Sequence, residues 1–105
     1  MSGTLALAEK RLHPRATVEL NVSCETEAGV IHGTARDLGI GGMFIESSEL
    51  PPFASQVVIV ARLPGMKADS RLPAVVRWTT ELGFGVQFGA LGARDTFAIS
   101  SLLKY

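Results

Sequence analysis

Two arginines near the start of the chain, Arg11 and Arg15, are suited by type and spacing to hold an anion. They are four residues apart in Arg11-Leu-His-Pro-Arg15, and Lys10 precedes them. A guanidinium group donates paired hydrogen bonds to phosphate oxygens and stacks on purine faces. The spacing predicts a phosphate clasp. A short basic stretch is also typical of a solvated segment before a strand, so both interpretations stay open.

A second candidate is the glycine-rich segment in which Asp37 is followed by Gly39, Gly41 and Gly42. A carboxylate at the end of a strand can accept hydrogen bonds from the edge of a base, or it can orient an arginine. Glycines permit positive φ and a close approach of backbone to ligand. The alternative is a simple turn, capped by the aspartate and shaped by the glycines.

The third candidate is Trp78, the one tryptophan of the chain. Strict alternation along its strand places it on the apolar face, which favours a core position near one end of the molecule. The functional alternative is a wall against which a base packs.

Other chemistry lacks a recognisable arrangement of residues. The two histidines and Cys24 do not have the spacing of a zinc site, and the carboxylates are scattered. Neither a nucleophile elbow nor a phosphate loop of the GxxxxGK[ST] type is present. The sequence therefore predicts no enzyme, no metal and no cofactor.

Charge and composition exclude several kinds of partner. Lys+Arg and Asp+Glu both number 10, so the net charge is zero and binding to duplex nucleic acid is not expected. Residues 19–49 nevertheless carry six acids against Arg36 alone. No apolar run is long enough to insert into a membrane, and a single cysteine favours a reducing compartment. We expect a cytoplasmic protein.

Period-two alternation of apolar residues predicts six strands followed by a short helix. The predicted strands begin near Thr17, Val30, Met43, Gln56, Arg71 and Phe84, and the predicted helix covers Ala93–Tyr105. This order predicts an all-β fold, a small six-stranded antiparallel β-barrel with the helix at one open end. Residues 1–10 are expected to form a flexible leader, and residues 11–105 the barrel domain. The residues predicted to fill the core are Val18, Leu20, Val22, Val57, Ile59, Val76, Val86 and Phe88.

Order and spacing together make the chain similar to the PilZ domain family. That family is marked by RxxxR and, further on, [DN]xSxxG, which Arg11, Arg15, Asp37 and Gly42 match. Val76-Arg77-Trp78 and the strand from Gly83 to Phe88 also resemble the family pattern. The resemblance covers about residues 9–104 and implies a split-barrel type of fold.

The resemblance implies binding of the bacterial second messenger cyclic diguanylate. The arginines, with Lys10 beside them, would clasp phosphates and guanine faces, and the segment from Asp37 to Gly42 would contact a guanine edge. Gly39 stands where the family has serine. One lost neutral hydrogen bond costs roughly 0.5–1.5 kcal/mol, about tenfold in affinity at most.

Three functions remain open at this point. The first is a cyclic diguanylate receptor that relays the nucleotide level to an unidentified effector protein, with a homodimer as one possible state. The second is a PilZ-like interaction module that does not bind the nucleotide. The third, a barrel that binds single-stranded nucleic acid, is disfavoured by the zero net charge.

Overall fold

The computed structural model describes residues 14–103, in which six strands precede one helix. All six predicted strands are confirmed, and the predicted helix is confirmed from Ala93 to Leu102. The predicted leader at residues 1–10, which includes Lys10, lies outside the described residues, and so does Arg11. The elements are β1 (Arg15–Thr26), β2 (Gly29–Gly39), β3 (Gly42–Glu46), β4 (Gln56–Ala61), β5 (Ser70–Thr79), β6 (Gly83–Phe88) and α1 (Ala93–Leu102).

The strands form a closed barrel in the order β1-β2-β3-β6-β5-β4, and every neighbouring pair is antiparallel. Only the second half of β1 closes the barrel, since Val22–Glu25 pairs with Val58–Ala61 of β4. Closure satisfies the backbone groups that would otherwise form exposed edges. The predicted fold class is therefore confirmed.

Most of the predicted core is buried. Val18 and Leu20 are the exceptions, because they are half-buried and pack against the edge of the core. They lie in the first half of β1, before its pairing with β4 begins, and a register shift interrupts the β1–β2 ladder between Thr17 and Leu20. The predicted residues that are buried are Val22, Val57, Ile59, Val76, Val86 and Phe88.

Helix α1 buries Ala98 and Ile99 and is attached to the barrel by a polar contact. The hydroxyl of Ser70, a buried residue at the start of β5, donates to Asp95 Oδ1 at 2.6 Å. Phe97 is 74% exposed, so it lies on the side of the helix that faces away from the barrel.

Cys24 lies in the core with no exposed surface. Burial, and to a smaller extent the charge of Glu25, raises the pKa of its thiol to about 11. The thiol is therefore neutral near pH 7 and acts as a small apolar side chain.

Two glycines allow β3 and β6 to pair. A Cβ atom on Gly42 would collide with the carbonyl oxygen of Val86, and one on Gly83 would collide with that of Ile45. Both contacts are with backbone, which cannot move without breaking the ladder. The register of this strand pair therefore requires residues without side chains.

We expect Gly42→Ala to destabilise the domain by about 1–3 kcal/mol, the usual cost of forcing an extra carbon into a packed site. The matched control is Gly41→Ala, because a Cβ there has nothing within 4 Å. The control should change stability by no more than about 0.5 kcal/mol. Urea unfolding of the two variants measures the difference, and equal midpoints would contradict the packing role of Gly42.

Candidate functional site

A cleft of about 580 Å³ opens on the outer wall of the barrel. It lies where the β2–β3 turn and strands β5 and β6 meet the start of β1. Its lining combines two arginines, one tryptophan and a run of glycines. The lining residues are Pro14, Arg15, Gly39, Ile40, Gly41, Gly42, Arg77, Trp78, Val86 and Gln87.

Strand pairing brings the candidate residues together from distant parts of the sequence. Asp37 pairs with Phe44, Phe44 with Gly85, and Gly85 with Trp78. These four residues form one row across β2, β3, β6 and β5. Because directly paired residues share a face of a sheet, the carboxylate and the indole lie on the same outer surface.

Asp37 orients Arg15. Its Oδ1 atom accepts hydrogen bonds from Arg15 Nη2 at 2.6 Å and Nε at 3.1 Å, and from the backbone N–H of Phe44 at 3.1 Å. Two roles were considered for Asp37, the contact with the edge of a base and the orientation of an arginine. The structure shows the second of them. The arginine side chain is thereby fixed at the rim of the cleft.

The ion pair is weak enough to be exchanged. The side chains of Arg15 and Asp37 are 36% and 40% exposed. Pairs at this exposure contribute at most about 1 kcal/mol, because water competes for both charges. A phosphate group can therefore replace the carboxylate on Arg15 at small cost.

The prediction that Trp78 belongs to the core is wrong. A register shift between Val76 and Trp78 inserts one extra residue into β5, so Trp78 moves to the outer face and is 45% exposed. Its indole ring lies over Gly85, where any Cβ would collide with the ring atoms. Trp78 thus occupies the position of the alternative interpretation, a wall of the cleft.

The glycines act through close approach and not through unusual backbone angles. Gly29 and Gly65 are the glycines with positive φ in the described residues, so Gly39, Gly41 and Gly42 have no left-handed φ. Strand β2 continues to Gly39 and β3 begins at Gly42, so the two-residue turn between them is made without positive φ.

Gly39 has its own packing reason. A Cβ atom on it would lie 3.0 Å from the carbonyl oxygen of Pro14 and 3.4 Å from Arg15 Cγ. The missing side chain allows the start of β1 to lie against β2, with the stem of Arg15 directly over the glycine. Gly42 borders the cleft too, although its tightest constraint is the contact with β6.

Arg77 and Gln87 line the cleft and were absent from the predicted site. Arg77 Nε donates to Gln87 Oε1 at 2.7 Å, which holds a second guanidinium group in place. Strict alternation puts Arg77 opposite to Trp78, and the extra residue in β5 brings both to the outer wall. A bulge of this kind leaves no sequence pattern that alternation detects.

The remaining charges do not add to the cleft. Arg36 pairs with Glu46 at 2.9 Å and approaches Glu19 at 3.7 Å. Arg71 binds Glu25, and its hydrogen bonds lower the pKa of that carboxyl. The cleft is therefore basic through Arg15 and Arg77, with Asp37 as its counter-charge.

A second groove, of about 480 Å³, lies along β4 and β5. Its one ionisable lining residue, Glu25, is already bound by Arg71, so the groove offers no free charge. Within residues 14–103 no cluster of His, Cys, Asp and Glu is arranged to hold a metal ion. No helix in the same range is long and apolar enough to span a membrane.

Comparison with known proteins agrees with the barrel fold. The family model of the PilZ domain matches residues 9–103. No curated protein matches the chain in sequence.

Two solved structures share the fold. The PilZ domain of CeSA from a cellulose-synthesising bacterium is 19% identical with a TM-score of 0.67, over 85% of this chain and 93% of that one. The Bacillus subtilis inhibitor of motility (MotI/DgrA) is 20% identical with a TM-score of 0.65, over 87% of this chain and 46% of that one. At these identities the likeness establishes the barrel and not its ligand.

The position of Trp78 is open to a direct test through its fluorescence. We expect Gly85→Ala to displace the indole toward solvent, because the new methyl group would occupy the ring's place. The tryptophan emission should shift to longer wavelength and become easier to quench with acrylamide, while the barrel stays folded. Gly41→Ala, which adds a methyl group in open space, should leave the emission unchanged. An unchanged spectrum for Gly85→Ala would contradict the packing described for Trp78.

Proposed function

Because the chain belongs to the PilZ domain family, we propose that it is a cyclic diguanylate receptor whose ligand binds in the cleft between Arg15 and Trp78. The observation that carries this proposal is the shared outer surface of an oriented arginine and an exposed tryptophan. Cyclic diguanylate presents two phosphates and two flat guanine bases, which match a guanidinium donor and an aromatic wall.

Each residue of the cleft has a part in this proposal. Arg15 leaves Asp37 to bind a phosphate or the face of a guanine, and Asp37 is then free to accept hydrogen bonds from a guanine edge. Trp78 packs against a base. The glycines keep the floor free of side chains, so the ligand can lie close to the backbone.

Lys10 and Arg11 complete the site in this proposal, as the second half of the clasp that begins at Arg15. Both residues precede the described part of the chain, and both fall within the residues that the family model matches. Their positive charges would add to those of Arg15 and Arg77. Two ligand phosphates would then face several cations, which favours a dianion over a neutral nucleoside.

The domain acts in this proposal as a cytoplasmic receptor and adaptor without catalytic activity. Binding of the nucleotide breaks the ion pair between Arg15, at the start of β1, and Asp37. An effector protein then recognises the altered surface. Ligand-driven reordering of this kind needs only a difference in affinity between two states.

A specific observation supports one alternative, an interaction module that does not bind the nucleotide. Gly39 replaces the serine of the family motif, and Arg15 already has a partner in Asp37. In that case the ion pair between Arg15 and Asp37 would be part of the surface that a protein partner contacts.

Calorimetric titration with cyclic diguanylate tests the receptor proposal. We expect Arg11→Ala and Arg15→Ala each to weaken binding by about tenfold to a hundredfold, because charge-assisted hydrogen bonds contribute about 1.5–3 kcal/mol. Arg62→Ala is the matched control, since Arg62 is also an exposed arginine in an aspartate pair, at 3.2 Å from Asp69. The control should bind like the unaltered protein.

Two results would overturn the receptor proposal. One is an absence of binding heat at high micromolar concentrations of the unaltered protein, which would favour the interaction module. The other is an equal loss of affinity in the Arg62→Ala control, which would indicate a general effect of charge.

The missing hydroxyl at position 39 gives a second test. We expect Gly39→Ser to bind the nucleotide up to about tenfold more tightly than Gly39→Ala, the value of one hydrogen bond. Both variants carry the Cβ that presses on the Pro14 carbonyl, so their comparison isolates the hydroxyl. Equal affinities of the two variants in the same titration would show that residue 39 contributes no hydrogen bond.

A further inference from the structure

Three connections of the barrel meet at the end opposite to helix α1. They are residues 27–28, 47–55 and 80–82, and together we call them the hairpin end. Ser47 N donates to the carbonyl oxygen of Leu82 at 3.1 Å, and Ser47 Oγ donates to that of His32 at 2.9 Å. A groove separates the β1–β2 turn from the β3–β4 loop. Strand β6 starts at this end and runs away from it toward α1.

Large apolar side chains are exposed at the hairpin end. Seven such residues are exposed in the described part of the chain; three of them lie in these connections, and a fourth, Val30, is the second residue of β2, directly after the β1–β2 turn. Ile40 and Trp78 belong to the cleft, and Phe97 lies on α1. Single exposed apolar residues need no explanation, but a group of them on adjoining loops is typical of an interaction surface. The four are Val30 (53% exposed), Leu50 (45%), Phe53 (67%) and Leu82 (67%).

The carboxylates of the hairpin end differ from all the others in the described residues. The side chains of Glu27, Glu49 and Glu81 are exposed, and within residues 14–103 their carboxylates take part in no ion pair or hydrogen bond. The three connections contain no basic residue. Every other carboxylate in residues 14–103 has a partner. Those others are Glu19, Glu25, Asp37, Glu46 and Asp69, each in an ion pair, and Asp95, bonded to Ser70.

We propose that the hairpin end docks a basic amphipathic segment of a partner protein, with apolar residues on one face and lysines or arginines beside them. The exposed side chains of Phe53 and Leu82 would anchor the apolar face. The three unpaired carboxylates would attract and orient the basic flanks.

The charges decide between this occupant and others. An anionic membrane or a nucleic acid would meet three uncompensated negative charges. A second copy of the chain, packed symmetrically through the same surface, would place those carboxylates against each other. A basic partner supplies the missing counter-charges and covers the apolar groups at the same time.

The surface lies outside the cleft, and its test requires no nucleotide. The β5–β6 hairpin nevertheless contributes to both the cleft and the hairpin end. Trp78, before the turn of this hairpin, lines the cleft, and Leu82, in the turn, belongs to the hairpin end. A partner bound at the hairpin end would therefore contact the same hairpin that carries one wall of the cleft.

The probe for this proposal is a short synthetic amphipathic helix built from leucine and lysine, titrated into the ¹⁵N-labelled chain. We expect the backbone amide resonances of the hairpin end to shift and the affinity to fall as salt is added, because charge attraction is screened. A matched peptide with glutamate in place of lysine should bind at least about tenfold more weakly.

Substitutions locate the binding surface. Phe53→Ser and Leu82→Ser should each weaken binding of the lysine peptide by about tenfold or more, since each anchor is buried by the peptide. Phe97→Ser is the matched control, an aromatic side chain that is 74% exposed on α1. All three positions are exposed, so unfolding midpoints in urea should remain close to that of the unaltered protein.

Several outcomes would overturn the proposal. Resonance shifts that map to the cleft or to α1, or equal binding of the lysine and glutamate peptides, would show that the hairpin end does not select basic partners. Self-association in sedimentation that Phe53→Ser abolishes would identify a second copy as the occupant. Because these measurements omit cyclic diguanylate, their failure leaves the receptor proposal intact, and a failed nucleotide titration leaves this one intact.

Discussion

The close approach of β3 and β6 is the constraint on which the rest of the molecule depends. Gly42 of β3 lies against the backbone of β6, and Gly83 of β6 lies against the backbone of β3, so neither position has room for a side chain. Gly85 of β6 leaves the space that the indole ring of Trp78 fills. Gly42 also lines the cleft, where with Gly39 and Gly41 it leaves part of the outer wall without side chains. The side chains of Arg15, Arg77 and Trp78 border this bare stretch, and the cleft is formed by the difference in height between the two.

The cleft is bordered by groups that are held and yet exchangeable. Asp37 holds Arg15, and Gln87 holds Arg77, in each case through exposed polar contacts. Such contacts orient a guanidinium group with little net stabilisation, so they can give way to a better acceptor. The two guanidinium groups are thus oriented in advance, which would lower the entropy lost in the proposed binding of a ligand.

Alternation along the sequence was sufficient to predict the barrel, because each strand buries one face. It failed where a strand contains an extra residue, so alternation favoured a core position for Trp78 over its alternative as a wall of the site, and Arg77 was not included in the site. Val18 and Leu20 show another limit, since burial also requires a neighbouring strand on both sides. The motif residues Asp37 and Gly39 were found from spacing, but their contacts with Arg15 and Pro14 depend on strand register, which the sequence pattern does not give.

The buried thiol of Cys24 has a consequence for the chemistry of the whole chain. It is the one cysteine present, it has no exposed surface, and its pKa of about 11 keeps it protonated. Thiol–disulfide exchange requires an accessible thiolate, so Cys24 of the folded domain is protected from it. A cysteine introduced on the surface would therefore be the single accessible site for a thiol-reactive label.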